Sequence, residues 1–270
     1  MARHTWDPTH YLRYAGERGR PFVELIARVD AQAPGRVVDL GCGPGNLTAL
    51  LAQRWPQAAV VGLDSSSAMI EAARRDHGAV EFEVGDIRTW SPPEPVDVIA
   101  SNAALQWIPG HLDLLPRLVD ALTPQGWLAI QVPGNFGQPS HTIRRDLATE
   151  APWAAYTAGV ATPDAPGAEV YLERLQALGL DVDAWETTYL HVLPAERGPD
   201  AVFDWVSGTG ARPTIQAIPE ADGLRGVRRG VPAEAARGLP RGRRGHGAAV
   251  SSDLRGRSPR VMSDCGDGHE

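Results

Sequence analysis

The stretch VVDLGCGPGNLT, residues 37–48, places glycines at positions 41, 43 and 45 directly after a short apolar run. Glycines at alternate positions allow the chain to turn sharply and let a ligand approach the backbone. Backbone amides and the start of a helix lie close by, which favours binding of a small polar ligand. The stretch therefore predicts a strand, a ligand-binding loop and a helix, in that order.

Apolar runs and helical patterns alternate on both sides of this stretch. The strand-like segments are RVVDL (36–40), AAVVGL (58–63), VEFEV (80–84), VDVIAS (96–101) and WLAIQVP (127–133). The helical stretches that separate most of them lie near 46–55, 66–76 and 111–122. This alternation predicts right-handed βαβ units in an α/β fold with a doubly wound, mostly parallel sheet. Ligands of such a sheet bind at the carboxyl ends of the strands, near the switch point.

Helical elements are expected to cap this sheet. Residues 1–30 are interpreted as two short N-terminal helices, the second with Phe22, Leu25, Ile26 and Val29 at helical spacing. Residues 138–180 look mainly helical with a break at 163–167, and residues 182–193 have the pattern of a late strand. We assign residues 1–213 to one domain that includes both caps.

Composition limits the compartment and the function class. The chain has 270 residues, of which 43% are hydrophobic, so it can bury a sizeable core. We expect a cytoplasmic protein, because no apolar run approaches the length of a membrane span and the N-terminus lacks the apolar centre of a signal peptide. Cys42 and Cys265 are far apart, so neither a disulfide framework nor a metal site is expected.

Charge is distributed unevenly along the chain. The formal net charge is -7. Residues 206–270 hold 11 Arg against 7 Asp and Glu, a net of +4, which leaves -11 for residues 1–205. An acidic body repels nucleic acid and anionic membranes, so we expect neither as a partner. The ligand is expected to be small.

Acidic residues at the predicted strand ends indicate what that ligand is. A dinucleotide-binding loop has the pattern G-x-G-x-x-G, but position 46 is Asn and the spacing fails. Asp39, inside the first strand, could accept a hydrogen bond from an ammonium group. Asp64 ends the second strand, 23 residues after Gly41, where a carboxylate can accept both hydroxyls of a ribose.

The third and fourth strand ends complete this pattern. Asp86, in VGDIR after the third strand, could accept an adenine amino group while Ile87 packs on the ring. SNAALQW, residues 101–107, follows the fourth strand and contains Asn102. Polar side chains at four strand ends thus converge on one predicted edge of the sheet.

Together these four strand ends resemble the class I S-adenosylmethionine-dependent methyltransferases, which have a Rossmann-like fold. The resemblance implies S-adenosylmethionine as cofactor, with its methionine part wrapped by the glycine loop and Asp39, its ribose held by Asp64, and its adenine held by Asp86 and Ile87. The implied cofactor-binding residues are Asp39, Gly41, Gly43, Gly45, Asp64, Ser65, Asp86, Ile87 and Asn102.

Sequence segments outside these motifs resemble one particular family within this class. They are WDPTHYLRYAGERGRPFVEL (6–25), NAALQWIPGH (102–111), QVPGNFGQPSH (131–141), WETTYLH (185–191) and DWVSGTGARP (204–213). These blocks are similar to the trans-aconitate 2-methyltransferase family and cover residues 6–213 with few gaps. The family implies transfer of a methyl group to one carboxylate of a small unsaturated tricarboxylic acid, which gives a monomethyl ester.

This chemistry needs positioning rather than a catalytic base. A carboxyl group with a pKa of about 4 is already ionised at neutral pH, so no catalytic residue is assigned. The enzyme must align the reacting atoms and exclude water. The remaining carboxylates need cationic or hydrogen-bonding partners, for which Arg is well suited. The substrate-binding candidates are Trp6, Tyr11, Arg18, Arg20, Trp107, His111, His141, Tyr189, His191 and Arg212.

Two other enzyme functions stay open at this point. A nicotinamide oxidoreductase would use Asp64 equally well, but the last glycine of its loop is missing and a chain without Lys has no Tyr-x-x-x-Lys pair. A methyltransferase for another metabolite, such as an amine or a quinone precursor, would share the whole cofactor half. A binding module without catalysis is the third alternative.

The end of the chain departs from the family. All 17 aromatic residues lie at or before Trp205, and residues 223–247 have neither helical nor strand periodicity. A basic arm for nucleic acid is one interpretation, but no aromatic residue lies among the arginines. Read one nucleotide later with permissible codons, residues 223–240 can spell AFAAFVAEYRRKLREAYP and residues 251–260 can spell LPIFVVARR. These are an amphipathic helix and an apolar strand of the family's type.

A frameshift between about Thr214 and Gly223 would explain this tail. We therefore expect residues 214–270 to be aberrant and disordered or poorly packed, because such a segment buries little apolar surface. Loss of a final apolar strand from the sheet would lower stability and could impair activity.

Overall fold

The computed structural model describes residue 7 and residues 15–191, 205–219 and 243–253. These residues form an α/β fold built on one seven-stranded sheet. Within the described ranges, no helix is long and apolar enough to cross a membrane. Of the two expected N-terminal helices, the second is present, and the first falls on residues that lie outside the described ones apart from Asp7.

The five predicted strands before residue 134 are confirmed. They are β1 (Arg36–Leu40), β2 (Ala59–Asp64), β3 (Glu81–Val84), β4 (Val96–Asn102) and β5 (Leu122–Pro133). All five are parallel. The late strand is β6 (Asp181–His191), and a further strand is β7 (Arg243–Asp253). The order across the sheet is β3-β2-β1-β4-β5-β7-β6.

Helices connect and cap these strands. They are α1 (Ala15–Ala27), α2 (Thr48–Arg54), α3 (Ser67–Asp76), α4 (Leu115–Asp120), α5 (Pro139–Ala148), α6 (Ala154–Thr157), α7 (Ala168–Gln176) and α8 (Arg212–Ala217). The helix predicted at 111–122 is divided into a 3-10 turn, His111–Leu114, and α4. Pro116 favours a new helix start there, because proline fits the first turn and has no N–H to donate.

The switch point of the sheet lies between β1 and β4. The chain runs outward from β1 through β2 to β3, and then crosses back to place β4 on the other side of β1. The connections that follow β1 and β4 therefore lead away in opposite directions. Such a switch point opens a crevice at the carboxyl ends of the two strands. The glycine loop follows β1, and Asn102 ends β4, so both border that crevice.

The core explains why the strand sequences are nearly continuous apolar runs. Val38 and Leu40 of β1 belong to one buried cluster, whereas Val37 belongs to a second cluster on the opposite face. Side chains of a strand alternate between faces, so a strand covered on both faces is apolar at most positions, and the buried Asp39 is an exception in β1. Phe22, Leu25, Ile26 and Val29 of the α1 region join the second cluster, as their helical spacing predicts.

Strand β7 is a departure from the expected disorder of residues 214–270. It pairs antiparallel with β5 from Trp127↔Asp253 to Pro133↔Gly247, and antiparallel with β6 from Asp181↔Asp253 to His191↔Arg243. The expectation is therefore wrong for residues 243–253, and residues 214–217 belong to α8. Backbone N–H and C=O groups make the ladder, so the slot between β5 and β6 accepts a strand whose sequence has little strand pattern.

The position of β7 predicts a strong effect of truncation. A chain that ends at residue 242 should have a lower melting temperature than the full chain, because β5 and β6 would each expose an unpaired edge. A chain that ends at residue 253 keeps the strand and should melt like the full chain. Thermal unfolding followed by circular dichroism measures both. Equal melting temperatures for the two truncated chains would contradict the pairing of β7 with β5 and β6.

Candidate functional site

The glycine loop after β1 adopts a conformation that depends on glycine. Gly41, Gly43 and Gly45 have φ values of 84°, 55° and 81°. Positive φ is costly for residues with a Cβ, so glycine suits each position. The amides of Gly41 and Cys42 donate to the carbonyl oxygen of Leu63 at 2.8 and 3.0 Å, which ties the loop to the end of β2.

The three glycines face different surroundings. A Cβ on Gly41 would lie 2.3 Å from the Cβ of Ala104, and one on Gly45 would lie 2.7 Å from the ring of Phe82. No atom of the described residues lies within 4 Å of a Cβ built on Gly43. Packing therefore requires Gly41 and Gly45, whereas Gly43 borders open space that a ligand can occupy.

Asp64 at the end of β2 is held by two backbone amides. Gly43 N donates to its Oδ2 at 2.9 Å, and Ser66 N donates to its Oδ1 at 2.8 Å. A carboxylate has about four lone-pair sites, so each oxygen can still accept another hydrogen bond. Burial raises the pKa of Asp64, although the two amide bonds oppose that shift. The geometry fits a ligand that offers two hydroxyl groups.

Asp39 lies beneath the same loop. It is 2% exposed, and its Oδ2 accepts a hydrogen bond of 2.7 Å from the Thr48 hydroxyl. Burial raises the pKa of Asp39 to about 7, and the negative charge of Asp64 contributes to this rise while the Thr48 bond opposes it. A cationic ligand beside these two carboxyl groups would favour their ionised forms and lower both pKa values. Thr48 was not among the predicted residues, although it directly follows the loop in the sequence.

Asp86, Ile87, Ser65 and Asn102 lie at the carboxyl ends of their strands, as predicted. Asp86 is half-buried and forms an ion pair with Arg88, which lowers the pKa of Asp86. Ile87 is 8% exposed and packs in the core beneath Gly41, while Ser65 is exposed. The buried Oδ1 of Asn102 has no hydrogen-bond partner among the described residues, so an acceptor is available at the end of β4.

A cluster of arginines and aromatic rings lies where α1 meets the end of β6. The Arg18 guanidinium donates to the carbonyl oxygen of Trp205 at 3.0 Å and lies 5.1 Å from its ring centre. Arg20 lies 5.4 Å from the ring centre of Tyr189, and the Tyr189 hydroxyl donates to Glu24 at 2.6 Å. His191 lies between the rings of Tyr189 and Trp205. Trp205 was not singled out from the sequence, although it lies in a block used for the resemblance.

The other substrate candidates are distributed more widely. His141 packs edge-on against Phe136 at 5.4 Å between ring centres, and Arg212 begins α8, where burial lowers its pKa. Trp107 is half-buried in the 3-10 turn after β4. The predicted Trp6 and Tyr11 lie outside the described residues.

His111 does not fit its predicted role as a substrate ligand. It is 4% exposed, its Nδ1 lies 3.3 Å from the Ile108 carbonyl oxygen, and its Nε2 lies 2.5 Å from the Tyr171 hydroxyl. A carbonyl oxygen only accepts, so Nδ1 donates and Nε2 accepts from Tyr171. Both ring nitrogens are thus engaged, and burial lowers the pKa of His111. The residue joins the turn after β4 to α7 and is corrected to a structural contact.

Comparison with known sequences gives consistent matches. The family model described as a methyltransferase domain matches residues 37–126. Trans-aconitate 2-methyltransferase of Streptomyces coelicolor is 51% identical, with 79% of this chain and 73% of that protein covered. Trans-aconitate 2-methyltransferase of Escherichia coli O157:H7 is 45% identical, with 80% and 83% covered.

Solved structures share the fold at low sequence identity. Phosphoethanolamine N-methyltransferase 2 of Haemonchus contortus has a TM-score of 0.58 at 17% identity, with 91% of this chain and 56% of that chain covered. The YcgJ protein of Bacillus subtilis has a TM-score of 0.55 at 15% identity, with 87% and 97% covered. These proteins of quite different sequence therefore share the α/β fold.

Asp39 predicts a specific pH dependence of stability for the ligand-free protein. Its folded pKa of about 7 lies above the ordinary value of 3.8, so the folded state holds a proton that the unfolded chain releases. The stabilisation is complete below about pH 4 and is lost as the pH rises through about 7. Thermal unfolding at several values between about pH 5 and pH 8 should therefore show Asp39→Asn gaining stability relative to the unmodified protein as the pH rises. If the melting temperatures of the two proteins changed with pH in the same way, the raised pKa of Asp39 would be contradicted.

Proposed function

Because this chain belongs to the trans-aconitate 2-methyltransferase family, we propose that it transfers a methyl group to one carboxylate of trans-aconitate and produces a monomethyl ester. The identity of 51% over 79% of the chain is the observation that carries the proposal. Its cofactor is S-adenosylmethionine, which supplies a methyl group activated on a positively charged sulfur.

The residues at the switch point fit this cofactor. Gly43 borders open space, and Asp64 keeps lone pairs for two ribose hydroxyls. A ligand that carries a sulfonium and an ammonium group would favour the ionised forms of Asp39 and Asp64, whose pKa values burial raises. Asn102 supplies a buried acceptor without a partner among the described residues. Asp86 would exchange its exposed ion pair with Arg88 for an adenine amino group, and such pairs cost little to break.

The protein's own contribution to the reaction is positioning and exclusion of water. The attacking carboxylate is ionised at neutral pH, so no residue has to remove a proton from it. Water solvates and weakens a carboxylate nucleophile, and a covered site removes that solvation. Holding the acid in line with the methyl group converts an encounter between two molecules into a reaction within one complex.

The acid-binding residues are proposed from the rings and cations around this edge. Those that the structure places near the end of β6 or on the helices after β5 are Arg18, Arg20, Tyr189, His191, His141 and Arg212. Trp6, Tyr11 and Trp107 remain proposed as covering residues. Arginine side chains with aromatic neighbours suit carboxylates, because the ring fixes the guanidinium plane and leaves its donors available.

A methyl-transfer assay tests the proposed substrate. The full chain is incubated with S-adenosylmethionine and, in parallel, with trans-aconitate, cis-aconitate, citrate or isocitrate. We expect the monomethyl ester to form fastest from trans-aconitate. Methyl transfer to an amine or a quinone precursor, with none to any of the four acids, would favour the alternative substrate classes and overturn the proposal.

Asp64→Ala should weaken S-adenosylmethionine binding by about 10-fold or more, because charged groups form hydrogen bonds of about 1.5 to 3 kcal/mol. Asp97→Ala is the matched control. Asp97 also accepts hydrogen bonds from two backbone amides, those of Gly35 at 2.8 Å and Arg36 at 2.9 Å. It lies at the amino ends of the strands, away from the proposed cofactor site. Fluorescence titration should show an unchanged dissociation constant for the control. The same dissociation constant for both variants would refute the ribose assignment.

We also propose that a frameshift between about codons 214 and 223 produced the tail of this chain. The alignment with the Streptomyces coelicolor protein leaves 21% of the chain uncovered. The absence of aromatic residues after Trp205, and the apolar strand that residues 251–260 can spell in the shifted frame with permissible codons, are compatible with this origin.

The nucleotide sequence of the gene tests this proposal directly. We expect the shifted frame to remain open and to encode an apolar strand near codons 251–260. A version with the restored frame should melt at a higher temperature than this chain, because an apolar strand adds buried area to the sheet. Stop codons throughout the shifted frame would show that the tail has another origin.

A further inference from the structure

Arg144 on α5 is a cation that its own protein leaves partly unsatisfied. Its Nη1 donates to the Thr214 hydroxyl at 2.7 Å, and Thr214 is 8% exposed. Its Nε is buried and has no acceptor among the described residues. The ion pairs formed within the described ranges do not include Arg144. A buried donor of a charged group that lacks an acceptor is costly, which favours a ligand that supplies one.

The electrostatic surroundings of Arg144 lead to the same conclusion. Burial lowers its pKa, and the positive charge of Arg145 lowers it further. Arg212 differs, because the charge of Asp7 offsets part of the effect of burial on its pKa. A bound anion would therefore stabilise the charged form of Arg144, which burial and Arg145 disfavour.

The location of Arg144 connects it to the substrate side of the site. α5 begins six residues after β5 ends, at the edge of the sheet that holds Asn102 and the glycine loop. Trp205 lies 4.7 Å from His191 at the end of β6, measured between ring centres. Further along the same segment, Gly210 is close enough to His141 that an added Cβ would lie 2.9 Å from its ring. Residues 205–219 thus run from the end of β6 to α5 across this edge.

The hydrogen bond to Thr214 also determines which donors of the Arg144 guanidinium are left for a ligand. With Nη1 engaged, the donors on the other side are Nε and Nη2, which point in the same direction and form a fork. Such a fork matches the two oxygens of a carboxylate and gives a bidentate, charge-assisted pair. Thr214 therefore acts as a positioning residue for this fork.

We propose that Arg144 binds a carboxylate of the substrate that does not receive the methyl group, and that it makes this site specific for polycarboxylic acids. The inference rests on the proposed methylation of trans-aconitate and names a residue that was not a candidate from the sequence. Arg145, the next residue on the same helix, is exposed and serves as the matched control.

Direct binding tests the proposal without depending on turnover. Trans-aconitate is titrated calorimetrically into the full chain saturated with S-adenosylhomocysteine. Arg144→Gln should raise the dissociation constant about 10- to 100-fold, the effect expected for a charged hydrogen-bonded pair. Arg145→Gln should leave it unchanged, and Thr214→Val and Arg144→Lys should give intermediate values. An unchanged dissociation constant for Arg144→Gln overturns the inference alone, whereas an unmodified protein that binds no tricarboxylate overturns the proposed substrate as well.

Dicarboxylates distinguish a specificity role from a structural one. Itaconate, mesaconate and glutaconate each lack one of the three carboxylates of trans-aconitate. One of them should bind equally well to Arg144→Gln and to the unmodified protein, because it lacks the group that Arg144 would bind. A uniform loss of affinity for all four acids would indicate a merely structural residue. The melting temperature of ligand-free Arg144→Gln should not fall, since the substitution removes a poorly solvated cation.

Discussion

The carboxylate of Asp64 accepts hydrogen bonds from Gly43 and Ser66 and so joins the carboxyl ends of the neighbouring strands β1 and β2. One of these amides belongs to the glycine loop and the other to the start of α3. The loop after β1 is therefore shaped by the strand beside it, and not by its own sequence alone. The open face of Gly43 depends on this arrangement, because the amide that Asp64 holds determines where the loop turns.

The site combines two regions of opposite charge. Asp39 and Asp64 lie on the side proposed for the cofactor, whose sulfur is positively charged, and arginines lie around the side proposed for the acid. Both reacting groups lose charge when a methyl cation passes from sulfur to carboxylate. Each region therefore binds its ligand in the charged ground state, and Arg144 interacts with a part of the acid whose charge does not change. Placing a buried cation on a non-reacting carboxylate avoids stabilising the nucleophile before it reacts.

The sequence predicted the parallel strands well because strands covered on both faces have apolar residues at most positions, as in β1 and β4. The positions of the proposed cofactor residues were also predictable, since the carboxyl ends of parallel strands meet at one side of the sheet and Asp64 and Asn102 are the last residues of β2 and β4. His111 was misassigned because a histidine near a motif gives no indication of its partner, and Tyr171 is 60 residues further along the chain. Arg144 was missed for a similar reason: its importance depends on an acceptor that is lacking, which only side-chain geometry reveals.

Strand β7 is the last strand along the described part of the chain, but it lies inside the sheet, between β5 and β6. During synthesis, β1 to β5 and the whole cofactor side leave the ribosome before the strand that completes the sheet. Throughout that interval β5 has an open edge, and β6 has no hydrogen-bonded neighbour in the sheet. Newly made chains are thus most exposed to wrong pairing late in translation, so a change near the end of the gene affects a protein whose ligand-binding half has already emerged.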